Sequence, residues 1–344
     1  MKKFAVWTGP LYSNNEIFNP SSAVNRDDCL AGFRLLSAEL LAKGWECSTQ
    51  DVFRARGAVP EVILFLDIPR EPIARLTGDW AGKSKCWLLL QEPATIVPQN
   101  WDFQRHEQFE KIFTWDDKLV DEDKYFKINY AVNHALAITP DTSSKEKLCT
   151  LIAGQHKSQH PDELYSERVK AVRWFERNHP EDFDLYGRGW EEYLFPGPGV
   201  LKILNRQSLL RPMRRLLAPR FTSYRGPAET KTEVLKRYKF CICYENIRGL
   251  EGYITEKIFD CFAAGCVPVY WGAENIIRHI PGDCFIDKRL FPNYAELYRH
   301  LAGLSGQSYV EYLTNITHFL RSEQGYMFTP QKFAATIAGG TTDG

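Results

Sequence analysis

Short apolar runs alternate along this chain with segments in which apolar residues recur every three or four positions. The short runs predict buried strands, and the spaced segments predict helices between them. The predicted strands are 3–8, 62–66, 86–90, 111–115, 149–153, 183–186, 239–244 and 267–271. One predicted helix starts at Asp27 or Asp28, a second starts at Ser166, and a third follows the strand 239–244. Further helices are predicted over 231–237, 295–304 and 309–321.

Strands that alternate with helices in this way predict parallel sheets, in which ligands bind at the carboxyl ends of the strands. A length of 344 residues is more than one core usually serves. We therefore predict two α/β domains, 1–140 and 141–344, with the linker in the polar stretch 134–147 and the C-terminal helices in the second domain. The last dozen residues are small and polar, which predicts frayed ends.

Composition excludes several classes of protein. The 43 basic and 43 acidic residues balance, which argues against a nucleic-acid-binding protein. The chain has no GxGxxG fingerprint and no P-loop, so a dinucleotide oxidoreductase or a P-loop enzyme is not expected. Nine cysteines without a CxxC pair, no membrane-length apolar run and no signal peptide predict a reduced, soluble, cytoplasmic protein.

The stretch 238–272 concentrates polar residues at the carboxyl end of a predicted strand. Lys257 lies in the first turn of the following helix, where the helix dipole disfavours a cation. Backbone amides at a helix start, together with a lysine, form a binding site for a phosphate or diphosphate. The alternative is a solvated lysine, or one paired with Glu256 or Glu251.

The string ENIRGLEGYITEK, followed by an apolar helix and GCVPVYWG, resembles the donor-binding signature of glycosyltransferase family ten. The similarity is to the α-1,3-fucosyltransferases of that family, in particular the soluble bacterial type. The resemblance implies a GT-B type enzyme: α/β, with two Rossmann-like domains facing across a cleft, the first binding the acceptor and the second the donor. Carried over by motif position, the donor-binding residues are Asn246, Tyr253, Glu256 and Lys257, with Glu245 and Thr255 as supporting residues.

The predicted strand 86–90 runs directly into Gln91, Glu92 and Pro93. A carboxylate at this position faces the crevice of a parallel sheet. On the residues alone, a solvated loop glutamate is the simpler interpretation. The family resemblance implies instead that Glu92 is the catalytic general base.

Arg168 lies in the first turn of the helix that follows the strand 149–153, which repeats the situation of Lys257. The resemblance implies that Arg168 binds the donor diphosphate, and that Tyr186 belongs to a supporting turn. The alternative for Arg168 is a surface ion pair with Glu163 or Glu167.

Two patterns suggest metal ligands, and neither supports a metal site. The acidic run 121–123 fits a charged turn, because a catalytic metal ion would have to lie at the donor phosphates. Those phosphates are expected to bind at cations and a helix start far from this run in sequence. His156 and His160 have no third ligand nearby, and Pro161 disfavours a continuing helix. We expect no metal site, no required cofactor, and no essential divalent ion.

The segment 200–220 contains six basic residues interleaved with leucines and no acidic residue. It fits a peripheral contact with an anionic membrane surface, such as the inner membrane, or with a lipid-linked glycan. The alternative is an insertion whose leucines pack on the domain and whose basic residues are solvated.

Together with these features, the resemblance implies an inverting fucosyltransferase that moves fucose from GDP-fucose to a hydroxyl of a glycan acceptor. An α-1,3 linkage to N-acetylglucosamine or glucose, in bacterial lipopolysaccharide, another surface glycan or protein glycosylation, follows from the resemblance. Two alternatives stay open: the same architecture with a different nucleotide sugar, and a non-catalytic glycan- or nucleotide-binding protein.

Overall fold

The computed structural model describes residues 1–133, 145–195, 203–205, 207–228 and 230–342. These residues form two units. The first consists of 1–133, Glu251–Glu256 and the chain from Ser322 onward, and the second of 145–250 and Lys257–Arg321. The predicted linker lies largely in 134–144, and the predicted boundary at 140 therefore falls outside the described residues.

The first unit is built on a six-stranded sheet whose neighbouring strands are all parallel. Its strands, numbered in chain order, are β1 Lys2–Trp7, β2 Trp45–Thr49, β3 Val62–Leu66, β4 Lys85–Leu90, β5 Lys111–Thr114 and β6 Tyr125–Lys127. They lie in the order β2-β1-β3-β4-β5-β6.

The second unit repeats this arrangement with a five-stranded parallel sheet. Its strands are β7 Lys147–Ile152, β8 Phe183–Tyr186, β9 Tyr238–Tyr244, β10 Val267–Trp271 and β11 Ile286–Asp287. The order β11-β10-β9-β7-β8 is the doubly wound order of the first sheet, with the first strand beside the second and the third. The predicted fold class, α/β with two Rossmann-like domains of the GT-B type, is confirmed.

Helices connect the strands in both units. In chain order they are α1 Ala31–Ala42, α2 Gln50–Ala55, α3 Ile73–Thr77, α4 Phe103–His106, α5 Tyr165–Asn178, α6 Arg211–Leu216, α7 Lys231–Leu235, α8 Glu256–Ala263, α9 Tyr294–Gly303, α10 Gly306–Leu320, α11 Glu323–Tyr326 and α12 Pro330–Gly339. Among the described residues, none of these helices combines the length and the apolar character that a membrane crossing requires.

Alternation along the strands of the first unit divides its core between the two faces of the sheet. On one face, Phe4 and Trp87 pack with α1 and α12. On the other, Ala5 and Leu88 pack with Phe53 and other residues of the following helices and loops. Both faces of the sheet are therefore covered, as a parallel sheet requires.

The C-terminal segment belongs to the first unit, which corrects the prediction that placed it in the second domain. In α12, Phe333 packs edge-on against Phe33 of α1 with ring centroids 5.3 Å apart, and Ile337 is fully buried. The Lys43 ammonium donates to the carbonyl oxygen of Ala338 at 3.0 Å. The expected fraying is also wrong through Thr341, because the small residues form the buried face of a helix. A helical pattern predicts that a face is buried, but it does not say which sheet covers it.

Two predicted helix starts differ from the structure. Asp27 and Asp28 have positive φ angles of 53° and 56°, and α1 begins only at Ala31. The carboxylate of Asp28 instead pairs with Arg34 at 2.6 Å. Helix α5 begins at Tyr165 without a side-chain cap from Ser166. The short strands β2 and β6 were not predicted, because their mixed polar sequences show no apolar run.

Candidate active site

Strands β7 and β9 are neighbours at the point where the strand order of the second sheet reverses. Ligands of doubly wound sheets bind at this point, outside the carboxyl ends of the strands. Glu245 and Asn246 directly follow β9, and α5, which carries Arg168, comes after β7. The fold thus brings Arg168 together with Glu245 and Asn246, which are distant from it in sequence.

Arg168 is buried, with 4% of its surface exposed, and it binds the end of β9. Its Nη2 atom donates to the carbonyl oxygens of Tyr244 at 2.6 Å and Glu245 at 2.9 Å, and to Oδ1 of Asn246 at 3.2 Å. A guanidinium is always charged and has five N–H donors. Arg168 therefore fixes the strand end and places a positive charge there.

The acidic residues near Arg168 in sequence have other partners. The carboxylate of Glu163 accepts the amide hydrogen of Ser166 at 3.0 Å, and that of Glu167 pairs with Lys170 at 2.6 Å. The alternative for Arg168 was a surface ion pair with Glu163 or Glu167. The buried position of Arg168 and these contacts of the two glutamates differ from that arrangement. Its role in diphosphate binding stays a prediction.

Lys257 forms an ion pair with Glu245, with 3.0 Å between Nζ and Oε2. The Glu245 side chain is fully buried and that of Lys257 is 24% exposed. Glu245 supplies the anion that compensates the lysine at the helix start, so the position of Lys257 alone does not require a diphosphate. The carboxylate of Glu251, one predicted alternative partner, pairs with Lys118 at 3.3 Å.

The buried carboxylate of Glu245 is fitted closely against Gly272. A Cβ atom at residue 272 would lie 2.4 Å from Cγ of Glu245 and 2.6 Å from the hydroxyl oxygen of Tyr270. A side chain at this position would displace Glu245 from the ion pair. The glycine that ends the signature string therefore has a packing role in this site.

His156, whose spacing to His160 suggested only a possible zinc ligand, also lies in this region. Burial lowers its pKa, and the positive charges of Arg168 and Lys257 lower it further. Its ring lies 5.5 Å from that of Tyr165, centroid to centroid. A neutral imidazole beside two cations is the form that this environment favours.

Tyr186 belongs to a different network. Its hydroxyl lies 3.1 Å from that of Tyr238, which donates to Oδ2 of Asp184 at 2.7 Å. Burial opposes ionisation of Asp184, but hydrogen bonds from Tyr238, Lys147 and Arg225 outweigh it and lower the pKa. Because Tyr238 begins β9, the Tyr186 hydroxyl lies at the opposite end of this strand from Glu245.

In the first unit, the main chain at Glu92 is held by side chains. Oδ1 of Asp67 accepts the amide hydrogens of Gln91 at 2.7 Å and Glu92 at 3.1 Å. Nδ2 of Asn100 donates to the same Asp67 oxygen at 2.7 Å and to the carbonyl oxygen of Glu92 at 2.9 Å. Asp67 has a positive φ of 59°, and it follows β3 as Glu92 follows β4.

The carbonyl oxygen of Gln91 is also bound. It accepts hydrogen bonds from Nε1 of Trp115 at 3.0 Å and from the hydroxyl of Tyr130. Asn100 is fixed in turn, because its carbonyl oxygen lies 2.8 Å from Nε2 of His106. Every polar backbone group of the Gln91–Glu92 dipeptide thus has a side-chain partner, which preorganises the carboxylate of Glu92.

A cavity of about 310 Å³ opens beside Glu92. Glu92 and Glu256 both line it, and so does Tyr130. Its other lining residues include Gln91 and Asn129 as polar groups and Tyr12, Leu30, Phe33 and Phe333 as apolar ones. All of these residues belong to the first unit. The volume is at the lower end of the ~300–1,000 Å³ of small-molecule sites, whose linings typically combine apolar and aromatic side chains with a few polar groups.

The signature string is divided between the two units. Tyr253 and Thr255 are buried in the first unit, where the Tyr253 ring lies 4.8 Å from that of Trp115, centroid to centroid. Gly252 has a φ of 83°, and a Cβ atom there would lie 2.2 Å from the carbonyl oxygen of Trp115. The structure therefore places Tyr253, Thr255 and Glu256 with Glu92, and Glu245, Asn246 and Lys257 with Arg168.

Sequence reasoning missed Asp67, Asn100 and Tyr130. A signal for Asp67 existed, because it directly follows the apolar strand β3, at the sheet edge where Glu92 follows β4. Asn100 and Tyr130 lie in connections without a repeating pattern, and no local signal distinguishes them from other loop residues.

Residues 215–329 match the family model "Glycosyltransferase family 10 (fucosyltransferase) C-term". An α-(1,3)-fucosyltransferase of Helicobacter pylori is 37% identical over 68 residues, which are 20% of this chain and 14% of that protein. The chain thus matches only about a seventh of that relative's length.

Solved structures show the same fold. An α-1,3-fucosyltransferase crystallised with GDP-fucose aligns with a TM-score of 0.55 at 15% identity, over 98% of this chain and 89% of that one. HepE of Anabaena, in complex with UDP and glucose, aligns with a TM-score of 0.57 at 11% identity over all of both chains. The resemblance predicted from the sequence is confirmed over residues 215–329, which match the model of the family 10 C-terminal domain.

Proposed function

We propose that this protein is a fucosyltransferase that moves fucose from GDP-fucose to a hydroxyl of a glycan acceptor. One observation carries the proposal. The family 10 match covers β9, α8 and β10. Glu245 and Asn246 lie in the loop between β9 and α8, and Lys257 lies in the first turn of α8. The match to a fucosyltransferase family therefore coincides with the strand ends at which the sheet order predicts a ligand.

Glu92 is the proposed general base. In an inverting transfer, the acceptor oxygen bonds to the anomeric carbon while the bond from this carbon to the diphosphate oxygen breaks. The acceptor proton goes to the carboxylate, and the bonding electrons leave with GDP. The anchored backbone of Glu92 and the cavity beside it support this role, since a general base must be held within hydrogen-bond reach of the hydroxyl.

Arg168 and Lys257 are the proposed cations for the departing diphosphate. Arg168 is held by three oxygen atoms at the end of β9, and Lys257 by Glu245. An ammonium has three N–H donors, so an ion pair with Glu245 is compatible with a phosphate contact. The two residues supply positive charge at the start of α8 and in the first turn of α5.

The remaining signature residues are proposed either to bind the donor or to support the residues that do. Asn246 and Glu256 are the candidates for hydrogen bonds to sugar and ribose hydroxyls. The burial of Tyr253 and Thr255 favours a role for them in holding the shape of the segment. Glu245 supports Lys257, and the network of Tyr186 supports the sheet.

We further propose an α-1,3 linkage to N-acetylglucosamine or glucose of a surface glycan such as lipopolysaccharide. The H. pylori relative and the crystallised fucosyltransferase are both named as α-1,3-fucosyltransferases. The departure of GDP can be assisted by Arg168 and Lys257, so we propose that no divalent ion is essential. Added EDTA should then leave the transfer rate unchanged.

The main alternative is another nucleotide sugar, since the fold also aligns with a protein solved with UDP and glucose. Calorimetry with GDP-fucose, GDP-mannose and UDP-glucose tests the donor. Tight binding confined to GDP-fucose supports the proposal, and binding confined to UDP-glucose overturns it. Transfer of labelled fucose to lactose or N-acetyllactosamine, with the linkage read by NMR, tests the reaction. GDP-fucose binding without transfer to either sugar or to glycan extracts would favour the non-catalytic alternative.

A further inference from the structure

A helical segment of the second unit presents an apolar stripe to solvent. A 3-10 turn at Ser208–Leu210 runs directly into α6. Leu209, Met213, Leu216 and Leu217 follow each other at intervals of four, three and one residues, which places them on one helical face. We name these four residues the outward stripe, because they are 89%, 42%, 85% and 53% exposed, respectively.

The opposite face of this segment is polar and is bound to the rest of the unit. Arg214 is 6% exposed, and its Nη2 lies 2.5 Å from Oε2 of Glu192. Nε of Arg211 lies 2.6 Å from the other oxygen of the same carboxylate. The amide of Tyr193 donates to the carbonyl oxygen of Arg214 at 2.8 Å. The usual orientation of an amphipathic helix on a globular domain is therefore reversed, with Arg214 buried against the domain and the leucines outward.

This orientation is built into the contacts. Turning the outward stripe toward the domain would remove both arginines from Glu192 and leave that carboxylate, with its side chain 11% exposed, without these cations. Large apolar side chains grouped on a protein surface mark a site of interaction with an apolar partner.

The charge of the sequence segment that carries the outward stripe indicates the class of partner. Residues 200–220 contain six basic residues and no acidic residue. Arg215 and Arg220 are exposed, so positive charge accompanies the leucines at the surface. Leucines beside arginines, without acidic residues, are typical of a helix that lies in the interface of an anionic bilayer.

We propose that the outward stripe, together with Arg215 and Arg220, docks this protein on an anionic lipid surface. The apolar side chains would enter the region below the head groups, and the arginines would bind lipid phosphates. A protein partner fits less well, because the stripe consists of aliphatic side chains and lacks the aromatic anchors that dominate protein interfaces. The proposal does not depend on the transferase activity.

Vesicle flotation tests the docking. Vesicles of phosphatidylcholine alone are compared with vesicles in which about a third of the lipid is phosphatidylglycerol. The variants are Leu209→Ser/Leu216→Ser and Arg215→Glu/Arg220→Glu. Leu41→Ser/Leu290→Ser is the matched control, since these leucines are 61% and 76% exposed outside the stripe. Circular dichroism and thermal unfolding verify that each variant folds.

We expect the wild-type protein and the control to float with the anionic vesicles, and binding to fall at high salt. Each stripe or arginine variant should bind at least ~10-fold more weakly, because each loses one of the two attractions. Failure of the wild type to float with anionic vesicles overturns the proposal, as does wild-type flotation of the leucine variant. Self-association that Leu209→Ser/Leu216→Ser abolishes, without vesicle binding, would identify the stripe as a protein interface instead.

Discussion

The carboxylate of Asp67 accepts the backbone amide hydrogen of Glu92 at 3.1 Å. The two residues follow the neighbouring strands β3 and β4, so the parallel sheet brings them to one edge. Asn100 completes the arrangement by bridging Asp67 Oδ1 and the carbonyl oxygen of Glu92. Asp67 is thus positioned to fix the main chain of the proposed base.

We expect Asp67→Ala to lower kcat by ~10²-fold with little change in KM for the donor, because a displaced base loses its alignment with the acceptor hydroxyl. Asp67→Asn keeps a side-chain oxygen for the two amides and should recover most of the activity. Steady-state kinetics of both variants measure this split.

Thr77→Val is the matched control for Asp67. Its hydroxyl is buried in the same unit and bonds to Ile73 and Ala74 within α3. This variant should lose stability without a selective effect on kcat. If Asp67→Ala and Thr77→Val, matched in melting temperature, show the same kcat, Asp67 has no positioning role.

Replacing the proposed base itself should separate binding from chemistry. Glu92→Gln keeps the size of the side chain but cannot accept the acceptor proton, so transfer should fall by ~10²–10⁴-fold. The affinity for GDP-fucose, measured by calorimetry, should change little. Glu71→Gln, an exposed glutamate of the same unit, serves as the control. Transfer near the wild-type rate in Glu92→Gln would exclude this residue as the base.

Lys257→Met should destabilise the second unit, because it leaves the fully buried Glu245 carboxylate without its ammonium partner. Loss of one partner of a buried ion pair costs up to about 3–5 kcal/mol of unfolding free energy. Denaturant unfolding measures this effect. GDP affinity should fall at the same time if Lys257 also binds the diphosphate.

The double variant Lys257→Met/Glu245→Gln distinguishes the two roles of Lys257. Removing both charges should restore most of the stability, since an uncharged pair has no uncompensated buried carboxylate. GDP affinity should stay ~10-fold reduced if the lysine contacts the diphosphate. Recovery of GDP affinity together with stability would assign Lys257 a purely structural role.

Burial and neighbouring cations lower the pKa of His156 below its ordinary value of 6.5. As the pH falls through the ordinary value, the unfolded chain therefore binds a proton that the folded chain resists. Below this pH, His156 should therefore contribute a decrease in the free energy of unfolding of up to about 1.4 kcal/mol for each pH unit. His156→Gln should reduce this slope of unfolding free energy against pH, and His318→Gln, at an exposed histidine, serves as the control substitution. An unchanged slope in His156→Gln would contradict the assignment.

Phe333→Ala should destabilise the first unit by about 3–5 kcal/mol, because the ring is packed in the core beneath α1. Hydrogen exchange should show faster exchange in β1 and β4, while β9 stays protected. Tyr326→Ala, at a half-exposed ring of the same C-terminal segment, is the control. Loss of protection confined to β9 would instead favour the predicted assignment of this segment to the second domain.

The periodic pattern was sufficient to predict most strands within one or two residues, since each is a continuous apolar run bounded by polar turns. Val62–Leu66, Phe183–Tyr186 and Val267–Trp271 have the predicted bounds. It was insufficient for β2, whose mixed polar sequence shows no apolar run. It was also insufficient for the start of α1, because Asp27 and Asp28 adopt positive φ angles that a helical pattern does not reveal.

The sequence alone determined the parallel α/β class and the similarity of residues 215–329 to glycosyltransferase family 10, because apolar runs and a contiguous signature are local properties. The tertiary structure decided which partner each functional residue meets. Glu245 pairs with Lys257 and Asp67 holds Glu92 because the strand order places particular strand ends side by side. The tertiary structure also decided that α12 packs on the first sheet. An apolar helical pattern predicts that a face is buried, but it does not predict which surface that face packs against.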